Sequence, residues 1–160
     1  MVAEAIKSEL PPVYELRSFR SREAVGALVG RARKALAREF DRELASLGLN
    51  TAQGLVIVLL AEGTACTAAD IGRELAHDPG AMTRMVDKLE DAGYLRRVPR
   101  ERDRRATDLE LTAAGRRLHG EVRRVQVAML NRMLRGFSRT EARTLERLLK
   151  RVLDNANGVE

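Results

Sequence analysis

Side chains that could carry catalysis or hold a metal ion are scarce in this chain of 160 residues. It has two histidines, His77 and His119, and one cysteine, Cys66. These residues show neither metal-ligand spacing nor a nucleophile–base set, and the sequence contains no Gly-rich phosphate loop. We therefore predict that the chain is not an enzyme and uses no cofactor and no metal. A lone cysteine also rules out an internal disulfide.

Arginine is the side chain whose chemistry dominates the sequence. The chain has 29 basic residues against 23 acidic ones, a net charge of +6 and a pI of about 10.2, and nearly all the basic residues are arginine. The arginine fork donates two parallel hydrogen bonds, which suits phosphates and base edges. Aromatic residues make up only 3% of the chain, which argues against a protein that stacks single-stranded bases. The composition favours double-stranded nucleic acid as a partner, and a solvated helical surface is the alternative.

Local signals predict two short helices in the middle of the chain. Thr67 and Asp70 have the spacing of a capping box at a helix start. Asp78 is an N-cap candidate for the next helix, with Pro79 at the first position, where a missing N–H costs nothing. Gly93 ends this second helix. Two helices joined by so tight a turn predict a helix–turn–helix.

The second helix, residues 78–93, divides into two faces by its period. Small residues in its first turn, Gly80 and Ala81, allow a backbone to approach a groove closely. The apolar face predicted to point inward consists of Met82, Met85, Val86 and Leu89. The face predicted to point outward consists of Thr83, Arg84, Asp87 and Lys88.

A β-hairpin is predicted directly after this helix. The runs Tyr94–Pro99 and Thr107–Leu111 have the composition of short strands, and leucine alternates with acidic residues in the second. The seven residues between them, 100–106, read RERDRRA and form a charged tip. Because this basic tip has no core to stabilise and follows a helix–turn–helix, we predict a DNA-binding wing. The alternative is a role in solubility alone.

Amphipathic helices flank this unit on both sides. A long helical pattern runs from Ser21 to Gly48, another starts at Thr112, and Ser138–Glu141 is a second capping box. Their apolar faces exceed what so small a core can cover. We therefore predict that residues 10–47 and 115–155 build the interface of a homodimer.

A shorter helix, Ala52–Ala61, is predicted to be capped by Thr51 and is apolar on all sides, so we expect it to be central and buried. No apolar run approaches the roughly 20 residues of a membrane span. The N-terminus, MVAEAIKSEL, lacks the basic-then-apolar order of a signal peptide. We therefore expect a cytoplasmic protein that does not bind membranes.

The order of these elements resembles the MarR family of bacterial transcriptional regulators, which are winged helix–turn–helix homodimers. The matching stretches are LNTAQGLVIVLLAEG, TAADIGRELA, DPGAMTRMVDKLEDAGYLRR and DRRATDLELTAAGRRL. The last is the most specific, because the family's wing commonly carries D-R-R, a strand ending in L-T and then a glycine. The resemblance covers residues 21–153. Gly54 departs from it, since the family often has a bulky aromatic there, and so does Arg100, where the family's wing often has Asp.

The resemblance implies a mainly α fold with a small β-wing. It divides the chain into an N-terminal arm and dimerisation helix (1–47), a winged helix–turn–helix DNA-binding domain (48–112) and C-terminal dimerisation helices (113–160). It further implies a homodimeric, sequence-specific regulator of double-stranded DNA that acts on a pseudo-palindromic operator, with repression as the expected mode.

The same resemblance implies that residues 78–93 lie in the major groove and that the hairpin tip reaches the adjacent minor groove. Asp103 cannot favour phosphate, so we assign it to pairing with a neighbouring arginine that fixes the shape of the tip. The predicted DNA-binding residues are Thr67, Asp78, Pro79, Gly80, Ala81, Thr83, Arg84, Lys88, Arg102, Asp103, Arg104 and Arg105.

Family members commonly respond to a small aromatic or phenolic anion bound between the dimer helices and the DNA-binding lobes. The candidate effector-binding residues here are Tyr14, Arg17, Phe40, Gln53 and His119, each with a purely structural role as the alternative. His119 has arginine neighbours and is predicted to be solvated. Two further alternatives are a thiol-based redox sensor through Cys66 and a winged-helix module that binds protein or RNA.

Overall fold

Six α-helices and one two-stranded antiparallel sheet make up the described part of the chain. The computed structural model describes residues 11–100 and 103–158, with the backbone alone for 100 and 103–106. A 3-10 turn, Ala45–Leu47, extends the first helix. The fold is mainly α with a small β-wing, which confirms the predicted fold class. The elements are α1 (Val25–Leu44), α2 (Thr51–Glu62), α3 (Ala68–Glu74), α4 (Pro79–Asp91), β1 (Leu95–Arg100), β2 (Asp103–Leu111), α5 (Ala113–Met133) and α6 (Arg139–Asn157).

The chain forms two compact units that divide within α1, between Arg38 and Glu39. In the first unit the rings of Tyr14 and Phe19 meet edge to face, with their centroids 5.4 Å apart. The Tyr14 hydroxyl accepts a hydrogen bond at 2.9 Å from the main-chain N–H of Val25. The prediction that this helix starts at Ser21 was therefore wrong. The residues before Val25 form turns, and α1 begins where the Tyr14 hydroxyl accepts the hydrogen bond of the first helical N–H. The three-part division at residues 47 and 112 remains a prediction.

The core of the second unit is built around α2. As predicted, α2 is central: Val56, Ile57 and Val58 are buried. A β-carbon on Gly54 would lie 2.7 Å from Leu44 Cδ1, so the end of α1 occupies the space that a larger side chain would need. The other buried apolar side chains come from every element except α6: Phe40, Leu44, Leu49, Ala65, Ile71, Met82, Val86, Leu89, Leu95, Leu109, Leu111, Leu118, Val122 and Met129.

The start of α2 differs from the prediction. Asn50 is the N-cap, because its side-chain oxygen accepts from the Gln53 N–H at 2.9 Å while the Gln53 side-chain oxygen accepts from the Asn50 N–H at 3.0 Å. Thr51 was predicted to be the cap but is the first helical residue, and its N–H donates to Asp41 Oδ1 at 2.6 Å. Sequence spacing allowed either residue; the reciprocal amide pair favours Asn50.

The hairpin begins where α4 ends. Gly93 has a left-handed φ of 74°, which lets the chain leave the helix and enter β1. β1 pairs with β2 from Leu95 opposite Leu111 to Pro99 opposite Thr107, and the register then shifts so that Arg100 lies opposite Asp103. The predicted tip at 100–106 was too long, because β2 already begins at Asp103.

Helix α5 starts directly against the hairpin. Thr112 caps it by accepting from the Gly115 N–H at 3.1 Å, and the Thr112 hydroxyl donates to the Gly93 carbonyl at 2.6 Å. A β-carbon on Gly115 would overlap the carbonyl oxygen of Tyr94. A glycine is therefore required where the first turn of α5 lies against Tyr94, the residue before β1.

Helix α6 is well capped but contributes no buried residue. Ser138 and Glu141 form the predicted capping box, and Gly158 ends the helix in the left-handed region with φ 66°. The apolar side chains of α6 remain 37–61% exposed: Leu145, Leu148, Leu149, Val152 and Leu153.

Within the described residues no single helix has the length and hydropathy of a membrane span. The helix α1 with its 3-10 turn and the helix α2 meet those criteria when taken together as a bent pair.

Candidate DNA-binding surface

Helices α3 and α4 form the predicted helix–turn–helix. The predicted capping box of α3 is present, and Thr67 Oγ1 also donates to Asp70 Oδ2 at 2.7 Å. This bond from Thr67 is the main reason why the pKa of Asp70 lies below its ordinary value. The turn passes through Ala76 at φ 51°, a left-handed conformation that an alanine seldom adopts. The Thr67 hydroxyl is thus committed within its own helix start.

The start of α4 is fixed by the predicted N-cap. Asp78 Oδ1 accepts from the Ala81 N–H at 2.9 Å, and this bond is the largest cause of a lowered pKa for the Asp78 carboxyl. Pro79 occupies the first helical position. Three of the four residues predicted to face inward, Met82, Val86 and Leu89, are buried.

The outward face of α4 carries Thr83, Arg84 and Lys88, all exposed. The Thr83 hydroxyl donates to the Pro79 carbonyl at 2.9 Å, one turn back along the helix. The Arg84 guanidinium lies over the first turn, since a β-carbon on Gly80 would be 3.5 Å from its Nη1 and 3.3 Å from Asp78 Oδ1. The first turn therefore presents backbone and small side chains with one arginine above them.

The wing residues are placed only in part. Asp103, Arg104 and Arg105 belong to the first half of β2, which sequence reasoning had assigned to the tip. Arg102 lies outside the described residues. In the described part of the hairpin, Arg96 Nη2 donates to Glu110 Oε2 at 2.7 Å across the two strands.

A link between α4 and the hairpin was not anticipated from the sequence. Arg97 of β1 donates through Nη2 to Asp87 Oδ1 at 2.6 Å and through Nη1 to Glu90 Oε2. The main-chain N–H of Arg97 also donates to Glu90 Oε1 at 3.0 Å. The bond to Asp87 and the charges of both carboxylates raise the pKa of the Arg97 guanidinium. Two acidic residues three positions apart on a helix, followed by an arginine in the next strand, are the signal that could have indicated this link.

A cavity of about 180 Å³ lies between the start of α2 and the outward face of α4. Met85 was predicted to be an inward core residue but is only half-buried, because it forms part of this wall. None of the described residues that line the cavity carries a carboxylate. Its lining residues are Asn50, Gln53, Ala81, Arg84, Met85 and Lys88.

The candidate effector residues have different surroundings. Gln53 lines the cavity just described, whereas Phe40 is buried in the core, 4% exposed. Tyr14 caps α1 in the first unit, and Arg17 is exposed there. His119 was predicted to be solvated, and this was wrong: it is half-buried, and its Nε2 is enclosed and has no hydrogen-bond partner among the residues that the structure describes.

The remaining reactive side chains offer little chemistry. Cys66 is exposed, and its carbonyl accepts from the Leu109 N–H at 2.7 Å, which attaches the segment before α3 to β2. Over residues 11–100 and 103–158, no group of three or more His, Cys, Asp or Glu side chains could hold a metal ion.

Comparison with known proteins shows which family and fold this chain is similar to. The family model described as "MarR family" matches residues 47–106. The multiple antibiotic resistance protein MarR of Escherichia coli is 28% identical over 130 residues, which are 81% of this chain and 90% of that protein. The HTH-type transcriptional repressor Rv2887 of Mycobacterium tuberculosis is 28% identical over 128 residues, 80% of this chain and 92% of that protein.

Solved structures agree with these relatives. A crystal structure of a mutant MarR from E. coli complexed with operator DNA matches 80% of this chain and 92% of that chain, with a TM-score of 0.69 and 28% identity. CouR from Rhodococcus jostii RHA1, bound to p-coumaroyl-CoA, has the same fold, with a TM-score of 0.72, 24% identity and coverage of 81% and 92% of the two chains. Residues 47–106 thus match the MarR family, and over about 81% of its length the chain is similar to winged helix–turn–helix transcriptional regulators of that family.

Proposed function

We propose that this regulator binds a pseudo-palindromic operator as a homodimer, with α4 of each copy in a major groove and the hairpin beside it. The observation that carries the proposal is the two-faced character of α4. Its inner side is buried by Met82, Val86 and Leu89, while its outer side leaves Thr83, Arg84 and Lys88 free of the core. A helix held from behind and basic in front suits a groove lined with phosphates.

The side chains of α4 have different capacities for reading DNA. Because the Thr83 hydroxyl proton is directed to the Pro79 carbonyl, Thr83 has its methyl group to offer, and a thymine methyl is the matching partner. Arg84 above the first turn is suited to guanine O6 and N7 or to a phosphate. Lys88, one turn on, is suited to the phosphate backbone. The Thr67 hydroxyl already donates to Asp70, so Thr67 adds little to our proposed contacts.

The roles of Arg102, Arg104 and Arg105 follow from the basic hairpin and the family resemblance: one of them enters the minor groove and the others hold phosphates. Asp103 pairs with a neighbouring arginine and shapes the tip. Replacing Asp103 with Ala is therefore expected to weaken DNA binding even though it raises the net charge. Tighter binding by Asp103→Ala in an anisotropy titration would contradict this role.

The homodimer is proposed from the apolar face of α6. Leu145, Leu148, Leu149 and Val152 lie within one stripe of the helix, and all remain exposed. A soluble protein seldom leaves so many large apolar side chains on one helix face uncovered. A second copy related by two-fold symmetry would cover the stripe and bring two α4 helices to half-sites about 34–36 Å apart.

DNA binding is tested without knowing the operator. Duplexes are selected from a random-sequence pool by the wild-type protein, and the affinity of the winning sequence is measured by fluorescence anisotropy. With several phosphate contacts per copy, affinity should fall about a thousandfold or more between roughly 50 and 200 mM salt. Affinity that ignores salt, or that is equal for single-stranded DNA or a folded RNA, would favour the protein-binding or RNA-binding alternative.

The cavity between α2 and α4 supports control by a small anion. Each of its two amide side chains accepts one hydrogen bond in the capping box of α2, and the NH2 groups of Asn50 and Gln53 remain as donors. Arg84 and Lys88 add two cations, and Met85 adds an apolar wall. A site with donors, cations and one apolar wall suits a carboxylate with a small aromatic body. Because Arg84 and Lys88 also face the DNA, such an anion would compete for them.

Calorimetric titration with 4-hydroxybenzoate tests this site, with neutral 4-hydroxybenzamide as the uncharged comparison. We expect the acid to bind and the amide to bind much more weakly. Lys88→Met should weaken binding of the acid, whereas Lys150→Met, which removes an exposed lysine on α6, should not. Equal binding of acid and amide, or equal loss in both variants, would exclude an anion site at this cavity.

A further inference from the structure

The hairpin meets α4 through one side chain that makes three hydrogen bonds. Arg97 contacts Asp87 and Glu90 with its guanidinium and Glu90 again with its main-chain N–H. The two acidic residues stand one turn apart on the side of α4 that meets β1. A guanidinium held by two carboxylates has a defined orientation, because its donors are fixed in one plane.

This link is not what holds the hairpin to the core. Leu95 of β1 and Leu89 of α4 are fully buried, and Leu109 opposite Arg97 is buried as well. The Arg97 side chain is 37% exposed, and its partners Asp87 and Glu90 are 49% and 33% exposed. Ion pairs at such positions contribute roughly 0–1 kcal/mol to stability. We therefore expect these ion pairs to affect the orientation of the hairpin and the charge of α4 more than the stability of the fold.

The charge argument concerns the reading face of α4. Asp87 lies three residues after Arg84, so the two positions are neighbours on the surface of α4. An uncompensated carboxylate there would repel phosphates. Arg97 of β1 pairs with this carboxylate and balances its charge. The strand therefore affects the electrostatic potential of the helix surface.

From these contacts we infer that Arg97, held by Asp87 and Glu90, is a positioning residue that sets the angle of the wing relative to α4. This inference rests on the proposed function, since its consequence is that helix and wing can engage one duplex together. Without Arg97 the hairpin stays folded and attached at its base, but its outer part takes a range of angles. The wing arginines then no longer reach their groove in the same complex.

The chain offers a matched control one residue away. Arg96 has the same charge, lies in the same strand and pairs with an acidic residue, Glu110, but that pair lies within the hairpin and does not touch α4. Arg97→Ala and Arg96→Ala therefore remove the same charge, and only the first removes the link. The difference between them isolates positioning from the general loss of positive charge.

The link is first tested without DNA. In a Cys66→Ser background, spin labels at Asp91 and Thr107, both exposed, report the distance between the end of α4 and β2 by electron-spin resonance. We expect a narrow distance distribution in the parent and in Arg96→Ala and a clearly broader one in Arg97→Ala, with thermal unfolding unchanged within a few degrees. A narrow distribution in Arg97→Ala would overturn the inference, whatever the protein binds.

The second measurement uses the duplex selected by the wild-type protein. We expect Arg97→Ala to weaken binding about tenfold, comparable to the loss of a good groove contact, and Arg96→Ala to weaken it about two- to threefold. Arg104→Ala should cost less in the Arg97→Ala background than in wild type, because the wing is already misplaced. Equal losses for Arg96→Ala and Arg97→Ala, with additive effects of Arg104→Ala, would overturn the positioning role. If wild type selects no duplex, the proposed function fails, while the spin-label result still decides whether Arg97 orients the wing.

Discussion

We call residues 50–115 the winged unit. The winged unit and helix α6 have equally clear helix-start signals, but the apolar residues of the first are buried and those of the second are exposed. In the winged unit, Asn50, Thr67 and Asp78 cap their helices, and the apolar residues behind them are buried. Helix α6 has an equally complete capping box at Ser138 and Glu141, yet it has no buried residue. Capping residues therefore indicate where a helix begins, but they do not indicate whether its apolar face is buried.

The two regions therefore differ in what covers their apolar side chains. The winged unit is stabilised by its own core and by close backbone contacts, of which the one at Gly115 is the tightest. The α6 stripe can be covered only by something outside the described residues of one chain. Substitutions in the two regions should therefore have different consequences.

Gly115→Ala should damage the winged unit most. The new methyl group would overlap the Tyr94 carbonyl and lie 3.1 Å from Leu111 Cδ2, so α5 must move away from β1. We expect a loss of about 3 kcal/mol in the free energy of unfolding, measured by chemical denaturation. Gly120→Ala on the same helix is the control, because no atom lies within 4 Å of its new methyl group. Helix propensity alone favours Ala over Gly, so Gly120→Ala should lose no stability. A loss in Gly120→Ala equal to that in Gly115→Ala would contradict crowding as the cause.

Leu148→Asp should break the proposed dimer and leave the winged unit intact. Two copies of the substitution each remove one apolar contact worth about 1.5 kcal/mol, so the dimer dissociation constant should rise roughly 100-fold. Arg147→Asp, on the opposite side of α6, should change it far less. The measurement is analytical ultracentrifugation across a concentration series. A wild-type chain that is monomeric at micromolar concentration would contradict the dimer. The apolar stripe of α6 would then need a different partner to cover it.

Arg84→Ala should change which sequences are bound, whereas Arg104→Ala should weaken binding to all sequences. Loss of an arginine–guanine contact costs about 1–3 kcal/mol of discrimination, or roughly ten- to 100-fold, at one base position. Loss of a phosphate contact should instead lower the salt dependence by about one unit of slope. Selection from a random pool with each variant measures both effects. If neither variant alters DNA binding, α4 has a structural role only.

Asp78→Asn should have the smallest effect, visible only in acid. The pKa of Asp78 is lowered from its ordinary value of 3.8, mainly by the Ala81 N–H, so its carboxylate stabilises the folded chain fully above about pH 4. That contribution is lost as the pH falls through the lowered pKa. Asparagine keeps an acceptor oxygen and does not titrate, so the variant should show a flatter decline in stability between about pH 4 and 2. An unchanged acid limb in thermal unfolding would show that Asp78 does not contribute to it.

Much of the winged unit could be predicted because its signals are local. The capping box at Thr67, the N-cap at Asp78 and the left-handed Gly93 each depend on residues within one turn of the chain. The errors arose where two local solutions compete. Asn50 and Thr51 could both cap α2, and only the reciprocal bond with Gln53 decides between them. At α1 the cap comes from Tyr14, 11 residues away, which no helix-start pattern includes.

The candidate site divides in the same way. The outward positions of Thr83, Arg84 and Lys88 follow from the helical period and the core-facing stripe. Met85 lies on the same apolar stripe by period but is half-buried, because the start of α2 leaves a cavity there and does not close over it. The enclosed Nε2 of His119 likewise depends on neighbours that a helical pattern does not specify.

The sequence by itself determined which helices form, where most of them begin and which side of α4 faces away from the core, because these depend on contacts within a few residues. Only the tertiary structure decided that Arg97 meets Asp87 and Glu90, that Gly115 lies against Tyr94 and that α6 remains uncovered. Those outcomes depend on how closely separate elements approach one another. That approach depends on the joint burial of Leu89, Leu95 and Leu111, which come from three separate elements.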